Sequence, residues 1–338
     1  MSGAEAPRRP TIYDVAAAAG VSKSLVSLVL RGSPSVSEAR RAAVLDAMAR
    51  LDYRPSQAAA ALAGARTRTI GVVLDDFRNL WFVGLLRGLQ EGLSAHGFRI
   101  AVADGTLNAH VEASPLDGFL SMRVDGLVIA TEPTPAMRVP AGLPVVVAGS
   151  RRGEVPGADV VANDDRLGGR LATDHLLELG HRRIGHLTGD GGAAQLRAEG
   201  FRESLLAAGL RAPVVRGEGS TTEEDGYRAA LRLLGEAPGT TALFAANDTM
   251  AMGALAAARE RGLRVPEDLS VIGYDDSPIA ATHLLRLTTV DGRNAEVGAA
   301  AAERLVARTA TEPSEPVRTA LLTPRLVPRS SCAGPRDG

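Results

Sequence analysis

Residues 11–31 read TIYDVAAAAGVSKSLVSLVLR, and their spacing sets out two short helices joined by a tight turn. Ile12, Val15, Ala16 and Ala19 recur three to four apart, which puts one apolar stripe on a first helix. Gly20 ends that helix, because glycine enters a left-handed turn without the steric cost of a Cβ. Ser22 can cap the second helix by accepting a backbone N–H. In that helix Val26, Val29 and Leu30 face inward, whereas Lys23, Ser24, Ser27 and Leu28 face outward. An exposed second helix after such a turn is the geometry that enters a DNA major groove. A helical hairpin buried in an ordinary core has the same spacing, so the flanking sequence has to decide.

Outward from this stretch, Gly32-Ser33-Pro34 breaks the helix. Ser35 or Ser37 can start a third, Ser35 and Glu38 fit a capping box, and Val44, Leu45, Met48 and Leu51 form its apolar face. Residues 53–63 follow as YRPSQAAAALA. Pro55 stops the third helix, and the alanine run is too short to hold a helix unaided. It suits either a hinge that folds on DNA or a plain linker helix. Residues 1–10 are expected to be a disordered arm.

Charge separates this head from the rest. Residues 1–68 hold ten Lys and Arg against five acids, a balance of +5, and the remainder is at −6. Lys23, on the outward face of the second helix, is the only lysine in a chain that otherwise uses arginine. A small basic head on an acidic body is the footprint of a DNA-binding module joined to a sensor. Chance clustering on a solvated surface is the plainer account.

The 338 residues are enough for two or three domains, and 45% apolar content at a net charge of −1 reads as globular. Cys332 is the lone cysteine, so there is no disulfide framework and no cysteine metal site. The opening MSGAEAPRRP has no apolar core behind its basic residues, and no run approaches the roughly 18 apolar residues of a membrane span. A cytoplasmic protein is expected.

From Thr69 short apolar runs alternate with amphipathic stretches. Strands are predicted at 70–74, 100–103, 126–130, 145–148, 184–188, 242–245 and 271–274. Helices are predicted at 82–95, 167–179, 196–208, 227–234 and 249–261. The alternation implies parallel sheets with helices on both faces, and about 260 residues of it suggests two such lobes. Ligands of such sheets bind beyond the strands' carboxyl ends. Polar pairs fall there: Asp75-Asp76, Asn163-Asp164, Asn247-Asp248 and Asp275-Asp276. Arg197 adds a forked donor, and Trp81 and Phe82 could cover the apolar face of a sugar or base. Each has a plainer alternative. Asp248 and Asp276 could be helix N-caps, and Trp81 could be core.

Enzymatic readings are weaker. Residues 189–194, GDGGAA, fit G-x-G-x-x-A, which can seat a pyrophosphate on a helix N-terminus, but they lie late in the chain, and the next acid, Glu218, is too far on. No G-x-S-x-G elbow is present, and the six histidines show no metal-ligand spacing. No catalytic residue, metal or cofactor is therefore predicted. Paired aspartates could serve acid–base hydrolysis, but nothing marks one of each pair as protonated. A two-lobe metabolite-binding protein or enzyme whose head has lost DNA binding is the second reading.

The order and spacing of TIYDVAAAAGVS, VSL, SPSVSEARR and LDYRPSQAAAALAG resemble the lactose-repressor (LacI/GalR) family. The resemblance continues through RTRTIGVVLDD, VDGLVIA, HLLELGHRRIGHLTG, LFAANDTMAMGAL, GLRVPEDLSVIGYDD and LTTV, and spans roughly residues 11–327. It implies an N-terminal all-α helix-turn-helix head on an α/β two-lobe, periplasmic-binding-protein-like body of two doubly wound parallel sheets. The expected domains are a head at 11–54, a hinge helix and linker at 55–68, and an effector-binding and dimerisation body at 69–328. Lobe 1 takes about 69–162 and 294–321, lobe 2 about 163–293 and 322–328, and 329–338 is a disordered tail.

The resemblance also implies roles. Lys23, Ser24, Ser27 and Leu28 would read bases. Thr11, Ser22, Arg31 and Arg54 would hold the DNA backbone. Ser56, Gln57, Ala59 and Leu62 would enter the minor groove, with Leu62 as the wedge. Asp76, Trp81, Phe82, Arg197, Asn247 and Asp275 would bind a small effector, sugar-like by this expectation. The implied function is a homodimeric transcriptional repressor on a near-palindromic operator, its affinity set by the effector. Three positions depart from the family's pattern. Leu28 replaces an arginine that can donate to guanine, Ser56 stands where the hinge usually has asparagine, and Asn79-Leu80-Trp81-Phe82 replaces N-P-F-F. The tail lacks heptads, which favours a dimer over a coiled-coil tetramer.

Overall fold

The computed structural model describes residues 10–30, 33–53, 67–105, 114–135, 137–211, 214–216, 220–310 and 316–336. The chain divides into two compact units, Met1–Thr67 and Arg68–Gly338.

In the first unit α1 is Ile12–Ala18, α2 is Lys23–Leu30 and α3 is Glu38–Arg50. Thr11 caps α1 through a reciprocal pair in which Asp14 N donates to Thr11 Oγ1 and Thr11 N donates to Asp14 Oδ2. Gly20 sits at φ +65°, and the axis of α2 turns 105° from that of α1. Leu25 N donates to Ser22 Oγ, the expected cap. Val15, Ala16, Val26, Val29, Val36, Val44 and Ala47 close a miniature core.

Three details of the head differ from expectation. The capping box of Ser35 and Glu38 does not form: Ser37 is the N-cap of α3, without a side-chain cap bond, and Ser35 Oγ pairs with Ser33 Oγ. Leu45 is exposed, and Ala47 fills its place, since 44, 47, 48 and 51 follow the 3.6-residue turn more closely. Leu28 is not fully outward: it is half-buried and packs on the head's core, as does Leu30.

The second unit holds two parallel sheets. The first has the order β11-β5-β4-β3-β1-β2 and the second β7-β6-β8-β9. The first sheet comprises β1 Thr69–Leu74, β2 Arg99–Asp104, β3 Gly126–Ala130, β4 Val145–Ala148, β5 Asp159–Asn163 and β11 Thr319–Leu322. The second comprises β6 Ile184–Thr188, β7 Val214–Arg216, β8 Ala242–Ala245 and β9 Ser270–Ile272. Helices α4 Trp81–Ser94, α5 Pro115–Ser121 and α10 Asn294–Ala310 serve lobe 1. Helices α6 Asp165–Glu178, α7 Gly192–Ala207, α8 Glu223–Glu236 and α9 Asp248–Glu260 serve lobe 2. β3, β4 and β8 are wholly apolar and β1 and β6 nearly so, because both their faces are covered.

The chain passes between the lobes three times, after β5, before α10 and after β11. A pair of antiparallel strands, β10 Thr289–Asp291 and β12 Arg325–Val327, joins two of these crossings and was not anticipated. β11 pairs with β5, which returns the chain to lobe 1.

The tail is a correction. Residues 329–336 are not a disordered end but a strap along lobe 2, because their backbone finds partners there. Ser331 Oγ donates to Val271 O at 2.6 Å and accepts from Thr288 N at 2.8 Å. Arg329 Nη2 donates to Asp276 Oδ1 at 2.6 Å, and Ala333 O lies 2.8 Å from His181 Nε2.

Candidate functional site

A cleft of about 370 Å³ lies between the lobes at the carboxyl ends of both sheets. Its position follows from the topology, because the loops after β1, β3, β4, β5, β6 and β8 all open on it.

The floor is built on Arg197. α6 and α7 touch backbone to backbone, and a Cβ on Gly169 would fall 2.2 Å from Arg197 O. That approach lets the buried Arg197 reach the first turn of α6, where Nε donates to Asp165 Oδ1 at 2.7 Å. Nη1 donates to Ala246 O at 2.6 Å, and Nη2 lies 3.4 Å from Asp275 Oδ1. The guanidinium stacks 3.5 Å from the centre of the Tyr274 ring, whose hydroxyl accepts from Asn163 Nδ2. Burial works against the charge of Arg197, but Asp165 and Asp275 outweigh it and raise its pKa. Burial pushes the carboxyl of Asp275 well above the usual range, with Arg197 opposing. Asp165 Oδ2 is buried and has no hydrogen-bond partner among the described residues, and Asp275 Oδ1 has only the long contact to Arg197. Buried acceptors of this kind call for a donor.

The lobe 1 wall is aromatic and acidic. Trp81 and Phe82 open α4 and meet edge to face at 5.1 Å. The Arg151 guanidinium lies 5.6 Å from the Trp81 ring and donates to Ala130 O and Ala148 O. Asp76 holds a forked pair with Arg78, which lowers its pKa, and Asp75 accepts from the Thr131 hydroxyl. Opposite, Asn247 caps α9 by accepting from Met250 N and donates its amide to Thr221 O.

All six residues expected at the effector site, Asp76, Trp81, Phe82, Arg197, Asn247 and Asp275, line this one cleft. Trp81 is both buried and cleft-lining, so its two readings are compatible. Asn247, not Asp248, is the cap. Asp248 turns away, accepting from Ser277 N and Oγ and from Thr289 Oγ1, and burial raises its pKa to about 6. Asp276 is no cap either but the partner of Arg329. Asp165, Arg151, Glu132 and Tyr274 were missed. Asp165 stands one residue past the pair singled out after β5, and the others signal only through contacts distant in sequence.

In the head, Lys23 and Ser24 are exposed on α2, and Lys23 Nζ donates to the hydroxyl of Tyr13, itself 63% exposed. Tyr13 was not anticipated, although an exposed aromatic beside a lone lysine is a readable signal. Ser27 and Leu28 are half-buried, and Thr11 and Ser22 act as the caps of α1 and α2. Arg31, Arg54, Ser56, Gln57, Ala59 and Leu62 lie outside the described residues.

Residues 11–56 match the bacterial regulatory proteins of the lacI family, and residues 173–332 match a periplasmic binding protein-like domain. Over 96% of its length the chain is 39% identical to the HTH-type transcriptional regulator CelR of Thermobifida fusca, of which it covers 99%. The chain belongs to the LacI family. Two solved structures of LacI-type regulators extend the likeness. A transcriptional regulator CelR–cellobiose complex aligns with TM-score 0.69 at 36% identity, covering 96% of this chain and all of that one. The lac repressor dimer bound to operator and the anti-inducer ONPF aligns with TM-score 0.78 at 28% identity and the same coverage. The chain is thus a DNA-binding transcriptional regulator with an effector-binding body, and the LacI family is not enzymatic. At the glycine-rich 189–194 loop the N-terminus of α7 is filled by Glu132, whose Oε1 accepts from Gly192 N at 2.7 Å.

Proposed function

We propose that this regulator is a repressor that binds a near-palindromic operator as a homodimer in the cytoplasm, and that a neutral sugar in the cleft sets its operator affinity. The observation that carries the sugar reading is the buried pair Asp165 and Asp275 flanking Arg197 in a cleft that Trp81 also lines, with Asp165 Oδ2 left without a hydrogen-bond partner among the described residues. Sugar hydroxyls donate to carboxylates while accepting from a guanidinium or an amide, and the apolar face of a pyranose packs on an aromatic ring. A volume of about 370 Å³ suits one or two sugar units, and cellobiose occupies a relative of the same build. Lys23, Ser24 and Ser27 are assigned to base reading, and Leu28 to apolar contact. The hinge residues Ser56, Gln57, Ala59 and Leu62 are assigned to the minor groove.

Trp81 is the only tryptophan, so its fluorescence reports the cleft directly. Glucose, cellobiose, ribose and hypoxanthine are titrated into the full chain, with calorimetry in parallel, and operators are then selected from random DNA with and without each compound. Saturable binding of a sugar that also shifts operator affinity is the expected result. Binding of hypoxanthine alone would overturn the sugar reading, and selected sites without two-fold symmetry would overturn the homodimer on a palindrome.

A further inference from the structure

The glycine-rich loop 189–194 ends in a helix terminus that would ordinarily attract an anion, and the protein has already placed one there. Glu132, in the loop after β3 of lobe 1, sends its carboxylate across to lobe 2. Oε1 accepts from Gly192 N, the first residue of α7, at 2.7 Å, and Oε2 accepts from Arg152 N at 2.9 Å. The contact is close: a Cβ on Gly192 would fall 2.6 Å from the Arg151 carbonyl carbon. Glu132, Gly191 and Gly192 all line the cleft.

Three of the cleft's guanidinium groups are engaged as well. Arg197 is held by Asp165 and Asp275, Arg78 by Asp76, and Arg151 by two backbone carbonyls with Asp75 at 3.6 Å. Among the described residues six carboxylates line the cleft against four guanidinium groups, the fourth being that of the exposed Arg152. An incoming phosphate or carboxylate therefore meets like charge at the N-terminus of α7.

We infer that Glu132 is an effector-specificity residue, which rejects phosphorylated and acidic sugars by occupying the N-terminus of α7 with its own carboxylate. The inference rests on the sugar reading above and deepens it: the effector class becomes unphosphorylated, uncharged sugars. An anionic sugar would have to displace Glu132 from two N–H donors and would open the contact between the lobes. A neutral sugar leaves both in place.

The test is calorimetry on the full chain with glucose, cellobiose, glucose 6-phosphate and inorganic phosphate, for the unsubstituted protein, Glu132→Gln and Glu132→Ala. Gln keeps the shape and one acceptor while removing the charge, and Ala frees both N–H groups. The unsubstituted protein should prefer the neutral sugar. The ratio of phosphate-ester affinity to neutral-sugar affinity should rise about tenfold in Glu132→Gln and further in Glu132→Ala. A merely structural clasp would move both affinities by one factor and leave the ratio fixed, which overturns the inference while the sugar reading stands. Binding of glucose 6-phosphate as tight as that of glucose in the unsubstituted protein overturns it too. If no neutral sugar binds, the sugar reading fails. Inorganic phosphate taken up by Glu132→Ala alone then still supports the role of Glu132, and its exclusion from all three proteins overturns that role.

Discussion

Arg197 shows how much one side chain carries here. It neutralises two buried carboxylates and stacks on Tyr274, so its loss leaves Asp165 and Asp275 without a cation. Arg197→Ala should cost about 3–5 kcal/mol in urea unfolding, and pairing it with Asp165→Asn should recover part of that, because the penalty lies in the uncompensated charge. His186 makes a different prediction. It stacks on Phe244 at 4.4 Å inside the lobe 2 core, and burial lowers its pKa to about 3. Below the unfolded value near 6.5 the unfolded chain takes up a proton that the folded core refuses. Stability should therefore fall as pH drops from 6.5 towards 3, and His186→Phe should remove that share of the slope in acid-unfolding curves. In the proposed reading of α2, the half-buried Leu28 offers a base only apolar contact. Leu28→Arg should shift selected operators towards guanine at one position, by about 1–3 kcal/mol, and an unchanged selection would falsify this reading of α2. Asp275 was legible because it follows the apolar run at 271–274, and Arg197 because it is a forked donor on a stretch that reads as a helix. Asp165 and Tyr274 were not, since the contacts that draw them to Arg197 join segments far apart in the chain and leave no local spacing.

Among the elements, those with a full amphipathic period or a continuous apolar run were readable, and the short ones were not. α4, α6, α7 and α9 lie within a few residues of their predicted spans, and β3, β4, β6 and β8 coincide with theirs. β7, β10 and β12 have three residues each, too few for any period to show. The C-terminal strap is polar and lacks pattern, which reads as a loose end. It is held by hydrogen bonds rather than by an apolar face. Ser331 satisfies both Thr288 N and Val271 O while buried, so Ser331→Ala should destabilise lobe 2 by about 1–3 kcal/mol, measured as a lowered melting temperature. A smaller loss, limited by helix fraying, belongs to Thr11→Ala, which removes the α1 cap.

At the scale of the molecule, two units with opposite charge divide the work. The +5 balance of residues 1–68 sets the electrostatic part of DNA affinity, which the body does not share. Operator affinity should fall about a thousandfold between 50 and 200 mM salt if the dimer engages about six phosphates. Effector affinity, dominated by hydrogen bonds and stacking in the cleft, should scarcely change over the same range, and titrations at both salt concentrations separate the two. The helical head and the body of two parallel sheets are legible in the sequence, because the helix period of the head gives way at residue 69 to strand–helix alternation. The interlobe contact at Glu132 is not, because its partners lie 20 and 60 residues away on different loops.

The backbone contact between α6 and α7 at Gly169 also has a genetic consequence. Gly169 does not line the cleft, yet any side chain there would wedge the two helices apart and carry Arg197 off Asp165. A screen for mutants deaf to their inducer or corepressor should therefore return Gly169 substitutions alongside those of the cleft itself, scattered on a sequence map but stacked on one helix crossing.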